Sequence, residues 1–101
     1  MKVVLNKAVG SHFHLSAAAV QALAARKGWM RHPQLSTDEI ATKIRALPRT
    51  DEDLIGVAET LGPLAGGSAT ELAIVEVPDG VDWKIHEVVG FEFICIDERV
   101  F

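Results

Sequence analysis

The sequence predicts a small α+β domain, and three observations carry that prediction. Apolar residues in the first half recur at helical spacing behind good capping residues. The later part switches to strand-like alternation broken by glycine and proline. Helices therefore precede most strands instead of alternating with them, which separates α+β from α/β. The expected architecture is a three- or four-stranded, mainly antiparallel sheet with two to three helices packed on one face. Residues 1–101 read as a single domain with no repeat or interior boundary.

Val3, Val4 and Leu5 form a short first strand between polar neighbours. A polar loop, Gly10 to His14, follows. Ser16 is an N-cap for a helix over Ala17 to Lys27, with Leu15 and Val20 at staple spacing. Arg26 and Lys27 suit the negative end of its dipole, and Gly28 stops it. Trp29 to Pro33 connects to a capping box, Ser36 with Glu39, which opens a helix through about Ala46 ended by Pro48. Thr50 or Asp51 caps a third helix whose buried face is Leu54, Val57, Ala58 and Leu61, with Gly62 and Pro63 ending it.

Pro63 to Ser68 reads as a flexible turn. Leu72–Val77, Trp83–Val88 and Phe91–Ile96 then read as strands, separated by Pro78-Asp79-Gly80 and by Gly90. In the last of these, Phe91, Phe93 and Cys95 share one face and are assigned to the interior. Glu92 and Ile94 alternate outward, on a strand that can serve as a sheet edge.

Composition narrows the class. Hydrophobic residues are 49 % and charged residues 24 %, a globular balance that argues against disorder. At 101 residues, the chain buries about two-thirds of its unfolded surface and needs no metal or disulfide staple. Cys95 is the single cysteine, which points to a reducing compartment. The N-terminal apolar run is too short for a signal-peptide core, and the longest one, Leu15 to Ala25, is broken by Ser16 and Gln21. A cytoplasmic, non-membrane protein is expected.

The net charge of −4 argues against general nucleic-acid binding. The distribution is uneven. Residues 1–50 hold eight Lys or Arg against two acids, and residues 51–101 hold two against twelve. Such asymmetry marks either a charged partner or two halves that attract each other within one fold.

Several residue groups are candidates for chemistry. His12 and His14 point the same way on an extended segment and can share a metal, with His32, His86 or an acid as third ligand. Two solvated loop histidines explain the same letters, and no metal or cofactor is assigned. Cys95 with His86 resembles a nucleophile and base, but the apolar neighbours Ile94 and Ile96 favour a buried structural cysteine. Gly66-Gly67-Ser68 lacks the Lys and the preceding strand of a phosphate loop.

The basic group Arg26, Lys27, Arg31, His32, Lys43, Arg45 and Arg49 surrounds Trp29, an arrangement suited to an anionic ring. Its ligand candidates are Arg26, Trp29, Arg31 and Arg49. Trp83 and His86 are the strand candidates. Asp51, Glu52 and Asp53, and also Asp97-Glu98, offer paired carboxylates, which capping and a solvated chain end explain equally.

One resemblance covers most of the chain outside residues 29–47. Lys2-Val3-Val4-Leu5-Asn6-Lys7, Gly10 and Phe13-His14-Leu15-Ser16 are similar to the opening of a family of short uncharacterised proteins of bacteriophages and prophage-like bacterial genomes. Arg49-Thr50-Asp51, Leu54-Ile55, Val57, Glu59 and Leu61-Gly62 resemble that family's central helix. Ala73 to Val81 with Trp83-Lys84-Ile85 resembles its IVE[IV]PD-x-V-x-W-x-I segment, and Gly90-Phe91-Glu92 and Glu98-Arg99 its ending. Ala8-Val9 and Ser11-His12 depart from the family's Cys-Tyr and glycine-rich loop. The resemblance implies a bacterial or phage origin and transfers no catalytic residue.

Three functions are ranked from these observations. The first is a non-enzymatic accessory or interaction module, its partner another protein or a second copy in a homodimer. The second is a small anionic-ligand or nucleotide binder using the basic cluster. The third is a hydrolase-like or metal-dependent enzyme using the histidines.

Overall fold

The computed structural model describes residues 1–31 and 35–96 in full, and the backbone of 99 and 100. The chain runs β1 (Lys2–Asn6), α1 (Ala17–Lys27), α2 (Thr37–Ala46), α3 (Glu52–Leu61), β2 (Leu72–Glu76), β3 (Trp83–Val88), β4 (Phe91–Ile96) and β5 (Arg99–Val100). A short 3₁₀ turn, Gly62–Leu64, overlaps the start of the expected flexible stretch.

Capping residues set the helix starts. The Ser16 hydroxyl accepts from the Ala19 N–H at 3.2 Å, and Gly28 stops α1 at φ 75°. Ser36 and Glu39 satisfy each other's backbone donors in a complete capping box. Asp51 accepts from the Leu54 N–H at 3.0 Å to open α3. Each cap replaces water at a backbone donor that the helix itself leaves unpaired.

The class and the antiparallel pairing agree with the sequence, but the strands divide between two sheets. β1 pairs with β2, Val4 opposite Ile74, and β3 pairs with β4, Ile85 opposite Ile94, with β5 beyond. The physical reason lies at the second edge of β1. There the Val4 N–H donates to the Arg49 carbonyl at 2.9 Å, and the Asn6 N–H to the Glu92 carboxylate at 2.7 Å. A loop carbonyl and a side chain occupy the edge that another strand would need.

β1 thus lies between two apolar cores. Val4 packs with Leu23, Leu54, Val57 and Ala58 of the helical layer. Val3 and Leu5 point the other way and pack with Val77, Ile94 and Ile96. Helices cover one face of the β1–β2 pair and the second sheet covers the other.

The expected interior face of β4 is reversed. Glu92, Ile94 and Ile96 are buried, whereas Phe91, Phe93 and Cys95 are half-buried. β4 is also internal to its sheet, between β3 and β5, and is not an edge. Hydrophobicity ranks two phenylalanines above a glutamate, but two residues donate three hydrogen bonds to Glu92 inside, which no local pattern reveals. It accepts from both terminal guanidinium nitrogens of Arg49, at 2.7 and 2.9 Å, and from the Asn6 N–H. Arg49 also donates to the Val4 carbonyl and stacks 3.5 Å from the centre of the Phe13 ring.

Asn6 completes this buried polar group. Its amide donates to the carbonyls of Ala8, Ser11 and Gly90, and its oxygen accepts from the N–H groups of Ala8 and Glu71. Removing one member of a buried ion pair leaves the other charge desolvated, at a cost of about 3–5 kcal/mol. Arg49→Ala should therefore destabilise the domain by about 3–5 kcal/mol in urea melts. Arg49→Met with Glu92→Leu should cost less than the two single changes summed, because neither charge is then stranded.

Candidate functional site

The hairpin β3–β4 turns one face to the core and the other to solvent. Trp83, Ile85, Ile94 and Ile96 face inward. Register places Lys84 opposite Cys95, His86 opposite Phe93, and Val88 opposite Phe91 on the other face. The rings stand in a ladder there. His86 stacks on Phe93 at 5.8 Å between centroids, Phe93 lies 6.5 Å from Phe91, and the Lys7 ammonium sits 4.7 Å over Phe91. Lys7 is held in that position by donating to the Glu92 carbonyl at 2.7 Å.

The tip of the hairpin is apolar and exposed. Val88 is 58 % and Val89 67 % accessible, and Val9 is joined to this region through the neighbouring Gly10 N–H, which donates to the Val89 carbonyl. Val89 and Gly90 form a two-residue turn with φ of 50° and 85°. Positive φ at both positions belongs to the turn type that favours Asn-Gly, and a β-branched residue is strained there. Gly90 has no alternative, because a Cβ would run into the Ser11 carbonyl.

The anionic-ligand candidates do not gather. Arg26 lies across Gly56 of α3. Trp29 is half-buried against the helical core, with the Lys43 ammonium 5.9 Å from its ring. Arg31 is exposed beside Gly28. Arg49 is bound to Glu92. His32 and the Asp97-Glu98 pair lie outside the described residues.

The histidines diverge as well. His12 Nδ1 is 3.5 Å from Glu87, while His14 Nδ1 is 2.8 Å from the Thr70 hydroxyl with its ring against Gly67. His86 is on the outer hairpin face and Trp83 on the inner one, so the two strand candidates cannot share a site. The cysteine expected to be buried is half-buried, on the same outer face as His86. Among the described residues, no three His, Cys, Asp or Glu side chains are grouped to hold a metal.

His14 and Arg49 do meet at a cavity of about 410 Å³ between α1, α2 and the Phe13–Leu15 segment. Sequence reading missed this space, because α2's separation from α1 has no local signature. The Gly66-Gly67-Ser68 stretch supports its wall: Gly66 bridges to Leu15, and Gly67 leaves room for the His14 ring.

The charge asymmetry resolves in part into internal pairing. Lys2 pairs with Glu59, Lys27 with Asp51 and Asp53, and Arg49 with Glu92, each joining the basic half to the acidic one. Asp51 and Asp53, candidate acid–base carboxylates, thus serve α1–α3 docking. The hydrogen bonds that the Lys27 ammonium donates to the Asp51 and Asp53 carboxylates raise its pKa. Burial pushes the Asp51 carboxyl up, but the Lys27 ammonium and the Leu54 N–H outweigh it and hold it below its ordinary value.

No family model, curated protein or solved structure matches the chain. Among the described residues, no helix is long and apolar enough to cross a membrane.

Two outcomes follow from this geometry. Val89→Asn relieves a strained position and should raise stability by about 1 kcal/mol. A thermal melt should show this as about 4–8 °C. Asp51→Ala removes a cap and should cost about 1 kcal/mol at pH 7. Because the folded Asp51 pKa is depressed, its stabilisation is full above the unfolded value, about 3.9. It is lost as pH falls through the lower folded value. The gap between wild type and Asp51→Ala should therefore narrow in urea melts taken below about pH 4.

Proposed function

We propose that this chain is a non-enzymatic, cytoplasmic interaction module that docks a partner protein onto the outer face and tip of the β3–β4 hairpin. The observation that carries this reading is the His86–Phe93–Phe91 ladder continued into exposed Val88 and Val89. Contiguous exposed apolar surface marks association sites, and aromatic residues are enriched at interfaces. Retention of a β-branched residue at a strained, solvent-facing turn position is accounted for if its side chain is needed outside the fold.

The partner's chemistry follows from charge. Lys7 and Lys84 supply cationic groups to this face, and the outer-facing residues of β3 and β4 include no acid among those described. The complementary surface is apolar with an acidic rim. The inward-turned charges support binding over catalysis, since Arg49, Glu92, Lys27 and Asp51 are all engaged in holding elements together. The resemblance to short phage and prophage-like proteins belongs to the same proposal, an accessory role in a bacterial cell.

A photo-crosslinking residue at Val88 should join one defined partner in the source cells, while one at Glu52 on α3 should not. Val88→Asp should abolish capture at a second crosslinking position, Lys84, with the melting temperature unchanged. A product between two copies of the chain would identify the partner as the protein itself. Equal products from Val88 and Glu52, or none from Val88, would sink the reading.

A further inference from the structure

The cavity beside α2 is a separate feature from the hairpin face, and its lining has an uneven chemistry. Its walls are apolar: Val20 from α1, Ala41 and Ile44 from α2, Leu47 after it, and Leu54 from α3. Phe13 and Leu15 close the side nearest the β1 loop. Among the described residues lining it, the ionisable groups are His14, Arg45 and Arg49, and none is an acid. Thr37 adds a hydroxyl.

The two arginines differ in freedom. Arg49 is fixed by Glu92 below and Phe13 alongside, so its charge is balanced and its geometry preset. Arg45 is exposed on the last turn of α2, and its neighbour there is the Thr42 hydroxyl at 3.4 Å. A neutral hydroxyl leaves the Arg45 guanidinium available to an anion. α2 itself is anchored chiefly by Ile40, its one buried residue, which leaves Ile44 and Leu47 half-buried around the space.

A cavity of about 410 Å³ falls in the range that encloses a small organic ligand, roughly 300–1,000 Å³. Apolar walls select a hydrocarbon or single-ring body, and a cationic rim selects one negative group. We infer that this cavity binds a small amphipathic anion, its apolar body among Val20, Ala41, Ile44 and Leu54 and its carboxylate or phosphate group at Arg45. The site takes Arg45 and Arg49 from the basic cluster read from the sequence, but of the four ligand candidates named there it keeps Arg49 alone.

The test compares octanoate, 1-octanol and inorganic phosphate by calorimetry at low salt, using the full chain. Octanoate should bind measurably, and 1-octanol and phosphate each at least tenfold more weakly, because each lacks one half of the recognition. Arg45→Gln lies on an exposed position and should leave the fold intact while weakening octanoate about tenfold, the loss of one charge-assisted contact. Ala41→Phe should fill the space and abolish binding. Equal affinity for octanoate and 1-octanol would overturn the inference by making the groove merely apolar. Phosphate binding as tightly as octanoate would overturn it by making the rim a simple anion patch. No binding of octanoate, or binding unchanged in both variants, would overturn it outright. None of these results depends on the hairpin face.

Discussion

The free edge of β1 is the constraint on which the rest of this structure depends. A strand buried on both faces still has two rows of backbone groups to satisfy, and β2 serves one of them. On the other side, Val4 is served by the Arg49 carbonyl and Asn6 by the Glu92 carboxylate. The ion pair between the same two residues locks these acceptors in place. One interaction thereby holds the segment before α3 and strand β4 against β1, and joins the helical layer to the second sheet.

A buried charge pair is an expensive way to join layers, since both ions give up water. Here the cost is offset by full use of the hydrogen-bonding capacity nearby. Glu92 accepts from a guanidinium and a backbone amide, Arg49 reaches a carbonyl and an aromatic face, and Asn6 ties three loops together. Directionality is the return: such partners fit in one arrangement, while the apolar contacts on either side tolerate several.

Local chemistry made the helices legible. Ser16, Ser36 and Asp51 announce their starts because a cap acts within three residues, and Gly28 announces a stop for the same reason. The strands were legible as elements too, since alternation is a property of neighbouring residues. Their orientation was not. Phe91 and Phe93 outrank Glu92 on any hydrophobic scale, and the reversal arises from partners 43 and 86 residues away in sequence. The surroundings of the candidate residues were not legible either: Arg49 reads as a free cation until Glu92 is placed, and Trp83 and His86 share a strand while facing opposite layers. The cavity beside α2 comes from a gap between elements, which leaves no trace in spacing.

The position of β1 also bears on how the chain acquires its shape. β1 is synthesised before β4, yet the second core of Val3 and Leu5 is supplied by Ile94 and Ile96. Until those late residues arrive, the early strand has one apolar face uncovered and an edge without its acceptors. Long-range closure of this kind slows folding relative to helical chains of similar size. During that interval the nascent protein presents a sticky ribbon to its surroundings, a vulnerability of biosynthesis that the finished molecule no longer displays.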